Sequence, residues 1–325
     1  MRGARRARGM ALLVVMLILA VMVVVATQMS GRLQIELRRT ANLSAGKQAW
    51  WYAMSAEALV AKALAQDAKD SPEVTHLGQH WARDDATFPL PDGTLSGRVR
   101  DLYGCFNLNS LGTPNSSGET GQPYPARAFK QLLLALELDE YESSQITDAL
   151  RDWIDSDTVI SGEGAEDAYY EGLKPAYLPA NQPLASVDEL RAVRGVTPTL
   201  YRKLRPYVCV RGGTDLKVNL NTIGVDQPEL LVALSEGSMG LDDAKQVLRN
   251  RPKKGWENNE AVVAELAGWS ELARNTIILK SDLFEAHMVA EVGDSRAFLT
   301  SVLQRGRDNK FTVIRRLQDD GEEWH

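Results

Sequence analysis

Asp152, Asp155, Asp157, Glu163, Glu166 and Asp167 stand within one short stretch of the chain, interrupted by Gly162 and Gly164. Carboxylates so spaced on a bendable loop suit a hard cation, since calcium gathers about six to eight oxygens from flexible segments. The EF-hand pattern does not apply. With Asp155 first, Asp157 third and Glu166 twelfth, the sixth position is Ile160, where that loop requires glycine. Two readings stay open: a calcium loop of another design, with Asp155, Asp157, Glu163, Glu166 and Asp167 as ligands and backbone carbonyls completing the shell, or a solvated acidic loop. In the first reading the ion is structural, holding together carboxylates that otherwise repel.

Other chemistry finds little footing. The four histidines are His76, His80, His287 and His325, with no H-E-x-x-H among them. His76 and His80 lie four residues apart, which opens a zinc pattern, but Pro72 and Gly78 point to a loop there and a surface pair is the simpler reading. Neither a G-x-S-x-G nor a phosphate loop occurs, so no enzyme is expected. Cys105 and Cys209 are the only cysteines. They form either a disulfide closing a long loop, worth up to ~4.7 kcal/mol by loop-closure entropy, or two separate buried thiols. Val187 to Tyr207 resembles a helix-hairpin-helix, with Arg194-Gly195-Val196 as the hairpin and Arg191, Arg202, Lys203 and Arg205 adding positive charge. Such hairpins meet phosphate in DNA-binding proteins, but a helical packing module is the alternative.

The elements that must position these groups begin with an arginine-rich leader and an uncharged apolar run from Met10 to Ala26. No A-x-A site follows the run, so it stays on the mature chain. Basic residues are held in the cytoplasm, which orients the chain with its bulk outside the bacterial inner membrane, in the oxidising periplasm. The formal charge is −6, and loss of the four leader arginines leaves 33 basic against 43 acidic residues. An acidic protein of this kind is not built for nucleic acid, and none is expected as a partner.

From Met10 to Lys69 there is no proline, and the apolar run passes into an amphipathic pattern through Trp50, Met54, Ala58, Ala61 and Leu64. A single helix is predicted, half in the membrane and half on a globular domain. Residues 71 to 94 read as loop, and Thr94 to Phe106 as a strand. Ser281 to Val292, Ser295 to Arg305 and Phe311 to Leu317 read as a meander of hairpins. The stretch between has helical periodicity. The fold class is therefore α+β: a long N-terminal helix on an antiparallel sheet, with a large all-helical domain inserted between the first strand and the remaining ones. Phe106 to Leu111 and Val218 to Ile223 repeat the pattern apolar-Asn-Leu-Asn-Ser/Thr-apolar, read as turn closure and helix capping.

The arginine leader ending in Gly9, the apolar run beginning at Met10 and the inserted helical domain together resemble the K-type minor pseudopilins of type II secretion systems. The resemblance covers essentially the whole chain. It implies a leader of residues 1–9 removed by a prepilin peptidase after Gly9, a methylated Met10 amine, and a pilin helix over 10–70. It further implies a sheet domain over 71–106 and 280–325 and a helical domain over 107–279. Most pilin-like subunits carry glutamate at the fifth mature position. Val14 stands there instead, and a buried membrane carboxylate costing about 2.5 to 3.5 kcal/mol is worth keeping only where a neighbour's charge repays it. A subunit at the filament end has no such neighbour. The family also implies structural calcium in the acidic segment and, as partners, the I-type and J-type minor pseudopilins and the major pseudopilin filament. The alternative is a membrane-anchored DNA-binding protein of a competence-like pilus, using the hairpin at Gly195.

Overall fold

The computed structural model describes residues 7–83, 86–114 and 121–319; the first six leader residues and His325 lie outside these. Helix α1 (Ala7–Asp70) runs without a break for 64 residues, about 96 Å at 1.5 Å per residue. Its helix passes through the Gly9-Met10 bond. From Met10 to Ser44 every residue is exposed, and only after that does one face become buried, through Ala49, Ala53, Ala56 and Leu64. The alanines at three of those positions let the helix lie close on the sheet. The helix ends where Pro72 would interrupt it.

Strands β1 (Ala86–Leu90) and β2 (Gly93–Asp101) follow as a hairpin. The sheet therefore carries one strand more ahead of the insertion than the sequence indicates. Pro89 and Pro91 disguise β1 as loop, yet a proline is tolerated on an edge strand, and β1 is an edge. The chain then builds β3 (Phe106–Asn107), α2 (Tyr124–Ala135), α3 (Glu140–Ile154), α4 (Asp167–Glu171), α5 (Pro198–Leu204) and β4 (Val208–Cys209). Next come β5 (Val218–Asn219), α6 (Pro228–Leu234), α7 (Leu241–Asn250), α8 (Asn259–Val263), α9 (Glu271–Thr276) and β6 (Ile277–Ile278). Strands β7 (Leu283–Val292), β8 (Ser295–Arg305) and β9 (Phe311–Asp319) complete the sheet, whose order is β1-β2-β7-β8-β9, antiparallel throughout. Gly293, at φ +55°, turns β7 into β8 across the Val292–Ser295 pair.

The insertion has its own hydrophobic core, from Phe106 to Ile277, separate from the core that α1 and the sheet share around Phe284, Met288 and Leu299. It is not purely helical. Strand β3 pairs in parallel with β4, and β5 with β6, so two successive segments each open and close on a short parallel pair. The repeated asparagine motif opens both. Asn109 receives the Leu184 N–H at 2.8 Å and donates to the Leu184 carbonyl at 3.1 Å. Asn221 treats Trp256 in the same way, at 2.8 and 3.0 Å. Ser110 and Thr222 donate back to the carbonyls of Asn107 and Asn219. These side chains do more than cap: each buried amide supplies the backbone partners of a distant loop.

The seam between insertion and sheet centres on Asp101, 3% exposed at the end of β2. It accepts the Tyr103 N–H at 2.8 Å, the hydroxyls of Thr222 at 2.6 Å and Ser281 at 2.5 Å, and the Asn219 amide at 3.3 Å. Burial pushes its carboxyl above the usual range. Beside it Cys105 and Cys209 are bonded, Cα atoms 5.8 Å apart, and pack with Leu102 and Val302. The seam lies at the C-terminal end of α1, where Thr75 donates its N–H to the Leu279 carbonyl and Arg305 reaches the Ala68 carbonyl. The insertion thus stands at the end of α1 opposite its bare apolar half.

Candidate functional site

The acidic segment joins α3 to α4. Helix α3 starts on Asp139, whose side chain accepts the Glu142 N–H, and ends by burying Trp153 and Ile154. Its inner face also carries Asp148 and Asp152, one turn apart and both buried. Asp152 receives the Ser161 N–H at 3.1 Å and Asp148 the Glu163 N–H at 3.0 Å, so these two carboxylates wrap the loop around themselves. The glycines make the approach possible: a Cβ on Gly162 would lie 2.3 Å from an Asp148 oxygen, and one on Gly164 2.0 Å from an Asp152 oxygen. Gly162 is also at φ +51°, a region that favours glycine.

Inside this frame Asp155, Asp157 and Glu166 each present an oxygen within 4.8 Å of the others. Two oxygens across a calcium ion, each at about 2.4 Å, stand about that far apart. Glu166 is 3% exposed, and among the described residues neither of its carboxylate oxygens has a hydrogen-bond donor; the same holds for Oδ1 of Asp155. Burial, then repulsion from Asp152 and Asp155, pushes Glu166 up to about 7. Burial, opposed by the Ser161 bonds and aided by Asp155, puts Asp152 at about 6. Buried orphan carboxylate oxygens are costly unless a cation or a proton meets them. With oxygen donors alone and no histidine or cysteine among them, the set fits a hard cation and not zinc.

Three of the five expected ligands are thus brought together. Glu163 stands outside the group, exposed, accepting the Tyr141 hydroxyl at 3.4 Å, and Asp167 sits in the first turn of α4 beyond Glu166. Sequence reasoning passed over the framing role of Asp148 and Asp152, although their spacing on an apolar helix face was the available signal. It placed Arg194 in the hairpin and missed its reach to the acidic loop. That guanidinium donates to the Gly164 carbonyl at 2.9 Å and lies 4.7 Å over the Tyr169 ring, clasping the acidic loop from the hairpin. Behind the loop Trp153, Tyr170 and Tyr177 pack edge to face or tilted, with the Trp153 and Tyr170 centroids 5.3 Å apart.

The hairpin packs one side against α3 and leaves its cations at the surface. Gly195, at φ +84°, lies against Ile146, where a Cβ would come within 2.8 Å. Lys203 donates to the Leu136 carbonyl, and Arg191 stacks on Tyr201. His76 is buried and accepts the Gly78 N–H, while His80 meets Asp67 at 2.7 Å. At the other end of the molecule, Val14 lies in the bare part of α1, where the first carboxylate is Glu36. That part is long and apolar enough to cross a membrane once.

Two family models, both described as "Type II secretion system (T2SS), protein K", match residues 104–213 and 218–279, the two segments that open on the asparagine motif. The chain is 58% identical to the type II secretion system protein K of Aeromonas hydrophila over 99% of this chain and 100% of that one. It is 38% identical to that of Klebsiella pneumoniae over 96% of each. Among solved structures it is similar to a chain of the GspK-GspI-GspJ complex from enterotoxigenic Escherichia coli, with a TM-score of 0.78 and 31% identity, covering 87% of this chain and 99% of that one. Nothing in these likenesses favours the DNA-binding alternative. The chain belongs to the protein K family of type II secretion systems, and is a minor pseudopilin.

Proposed function

We propose that this subunit caps the tip of the periplasmic pseudopilus and starts its assembly with I-type and J-type minor pseudopilins, supporting export of folded proteins. One observation carries the reading: the apolar half of α1 has Val14 and no carboxylate before Glu36, while its far end bears an insertion larger than the sheet domain. A subunit with no charge to offer a successor, and a head where the successor would stack, has one place in a filament. The complex of GspK with GspI and GspJ supports the choice of partners. In this reading a prepilin peptidase cuts after Gly9, Met10 is methylated, the amino end is cytoplasmic, and the helix leaves the inner membrane to join the major pseudopilin filament. The subunit's work is mechanical and involves no catalysis.

Calcium belongs to the same proposal. Asp155, Asp157 and Glu166 would hold it, with Glu163, Asp167 and backbone carbonyls within the same loop as further candidates. A bound divalent ion would neutralise the carboxylates that burial leaves unpaired. Asp148, Asp152 and Arg194 fix the loop's path, so the ligands are presented by a formed frame.

N-terminal sequencing of the processed protein tests the first half, with Met10 as the expected first residue. Gold-labelled imaging of pseudopili tests the second: label at one end supports the tip, and label along the shaft removes the proposal. Co-purification with I-type and J-type subunits is expected from either detergent or membrane.

A further inference from the structure

A groove of about 790 Å³ separates the His76–His80 loop, which follows α1, from the Arg249–Lys254 segment, which begins in the last turn of α7. The acidic loop does not border it, and of α1 only the C-terminal end does, through Asp67 and Asp70. Its second wall is firmly built. Asn221 grips both the N–H and the carbonyl of Trp256, Gly255 donates its N–H to the Pro252 carbonyl at 2.8 Å, and at φ +72° its missing Cβ would lie 2.6 Å from the Asn221 side chain. The base is closed by direct packing, since a Cβ on Gly78 would come within 2.5 Å of the Lys253 carbonyl. The second copy of the asparagine motif therefore holds a lip in place.

That lip is cationic. Arg249, Lys253 and Lys254 are exposed, and among the described residues no carboxylate stands within ion-pair distance of any of them. Arg251 fastens the segment from below through the carbonyls of Leu220 and Ile223. On the facing wall Asp67 is already occupied by His80 and the Trp81 N–H, and Asp70 by the Gln66 amide. Burial, with Lys254 nearby and Asp67 opposing, holds His76 below its usual pKa. Leu77 and Val225, 38% and 50% exposed, add apolar footing.

We infer that this groove receives an acidic peptide segment of a protein partner, its carboxylates on Lys253, Lys254 and Arg249 and an apolar side chain on Leu77 and Val225. Charge complementarity supports the choice: on a chain of net charge −6 these cations form a local exception. The spread of the cations along the lip and the apolar contacts exceed what a single phosphate uses.

The test uses the full chain in detergent and a fluorescein-labelled peptide of alternating Glu and Leu, with its Gln-for-Glu counterpart, followed by fluorescence anisotropy. The acidic peptide is expected to bind, to weaken at least about tenfold in the double variant Lys253→Glu/Lys254→Glu, and to weaken with salt. The distant variant Lys310→Glu should leave it unchanged. The substituted lysines are exposed, so an unaltered melting temperature confirms the fold. Equal binding of the glutamine peptide, indifference to the double variant, or displacement by inorganic phosphate at low millimolar concentration would each overturn the inference.

Discussion

Glu57, buried on α1, and Arg316, on β9, meet in a two-armed ion pair of 2.7 and 2.8 Å, although 259 residues separate them. Ser301 of β8 adds its hydroxyl to the same carboxylate at 2.7 Å. The long helix is thereby keyed to a fixed register on the sheet, which its alanine face alone would not specify. Glu57→Ala should cost about 2 kcal/mol, since bonds to an ionised partner exceed neutral ones. Arg316→Ala should also lower the melting temperature by leaving the carboxylate with the Ser301 hydroxyl and no countercharge. Chemical denaturation of both reads this, and an unchanged midpoint for Glu57→Ala would mean the alanines suffice.

Acid should loosen the seam. Burial pushes Glu285 up, but the His287 ring, Arg100 and Arg205 outweigh it and bring the carboxyl down to about 2. The folded value lies below the ordinary 4.5, so the stabilisation is complete above 4.5 and is lost as pH falls toward 2. It amounts to about 3 kcal/mol at neutral pH, counted at 1.36 kcal/mol per unit. Glu285→Gln is expected to flatten the acid limb of a stability-against-pH curve over that window. A limb as steep as that of the parent would assign it to other carboxylates.

The asparagine motif makes a paired prediction. Asn109→Ala strands the backbone of Leu184, and Asn221→Ala that of Trp256, each leaving a buried N–H and a buried carbonyl without their side-chain partner. Losses of about 2 to 4 kcal/mol are expected for each. Hydrogen exchange should show the Leu184 amide opening in the first variant alone and the Trp256 amide in the second alone.

Ion removal is the fourth. Saturating calcium at about a hundredfold over its Kd should raise stability by about 2.7 kcal/mol, and a chelator should reverse it. Glu166→Ala or Asp155→Ala should abolish the shift, whereas the exposed Glu163→Ala should retain most of it. Identical melting of the parent with and without chelator would dismiss the ion.

Much of this architecture was legible in the sequence because it rests on pattern. The absence of proline from Met10 to Lys69 announced α1, and alternation with a Gly-Asp turn announced β7 and β8. What escaped depends on neighbours far away in the chain. Strand β1 looked like loop because its prolines rule out a central strand and not an edge one. The 3-10 segment Val187–Ala192 read as a helix because hydrophobic spacing does not separate the two. The acidic stretch disclosed its composition at once, but which carboxylates converge depends on Asp148 and Asp152 drawing the loop inward, and Arg194 entered from a hairpin that had suggested another role. The pairing of Cys105 with Cys209 is now seen to close the seam of the insertion.

The insertion leaves the sheet at Asp101 and returns at Leu283, on strands that already pair side by side with Asp101 opposite Phe284. Its two attachment points are therefore neighbours, and a tight turn could replace the whole head without disturbing the sheet's order. The molecule is a pilin body joined to its head at one hinge-like seam: heads could be transplanted between relatives at this joint, on an unaltered stem.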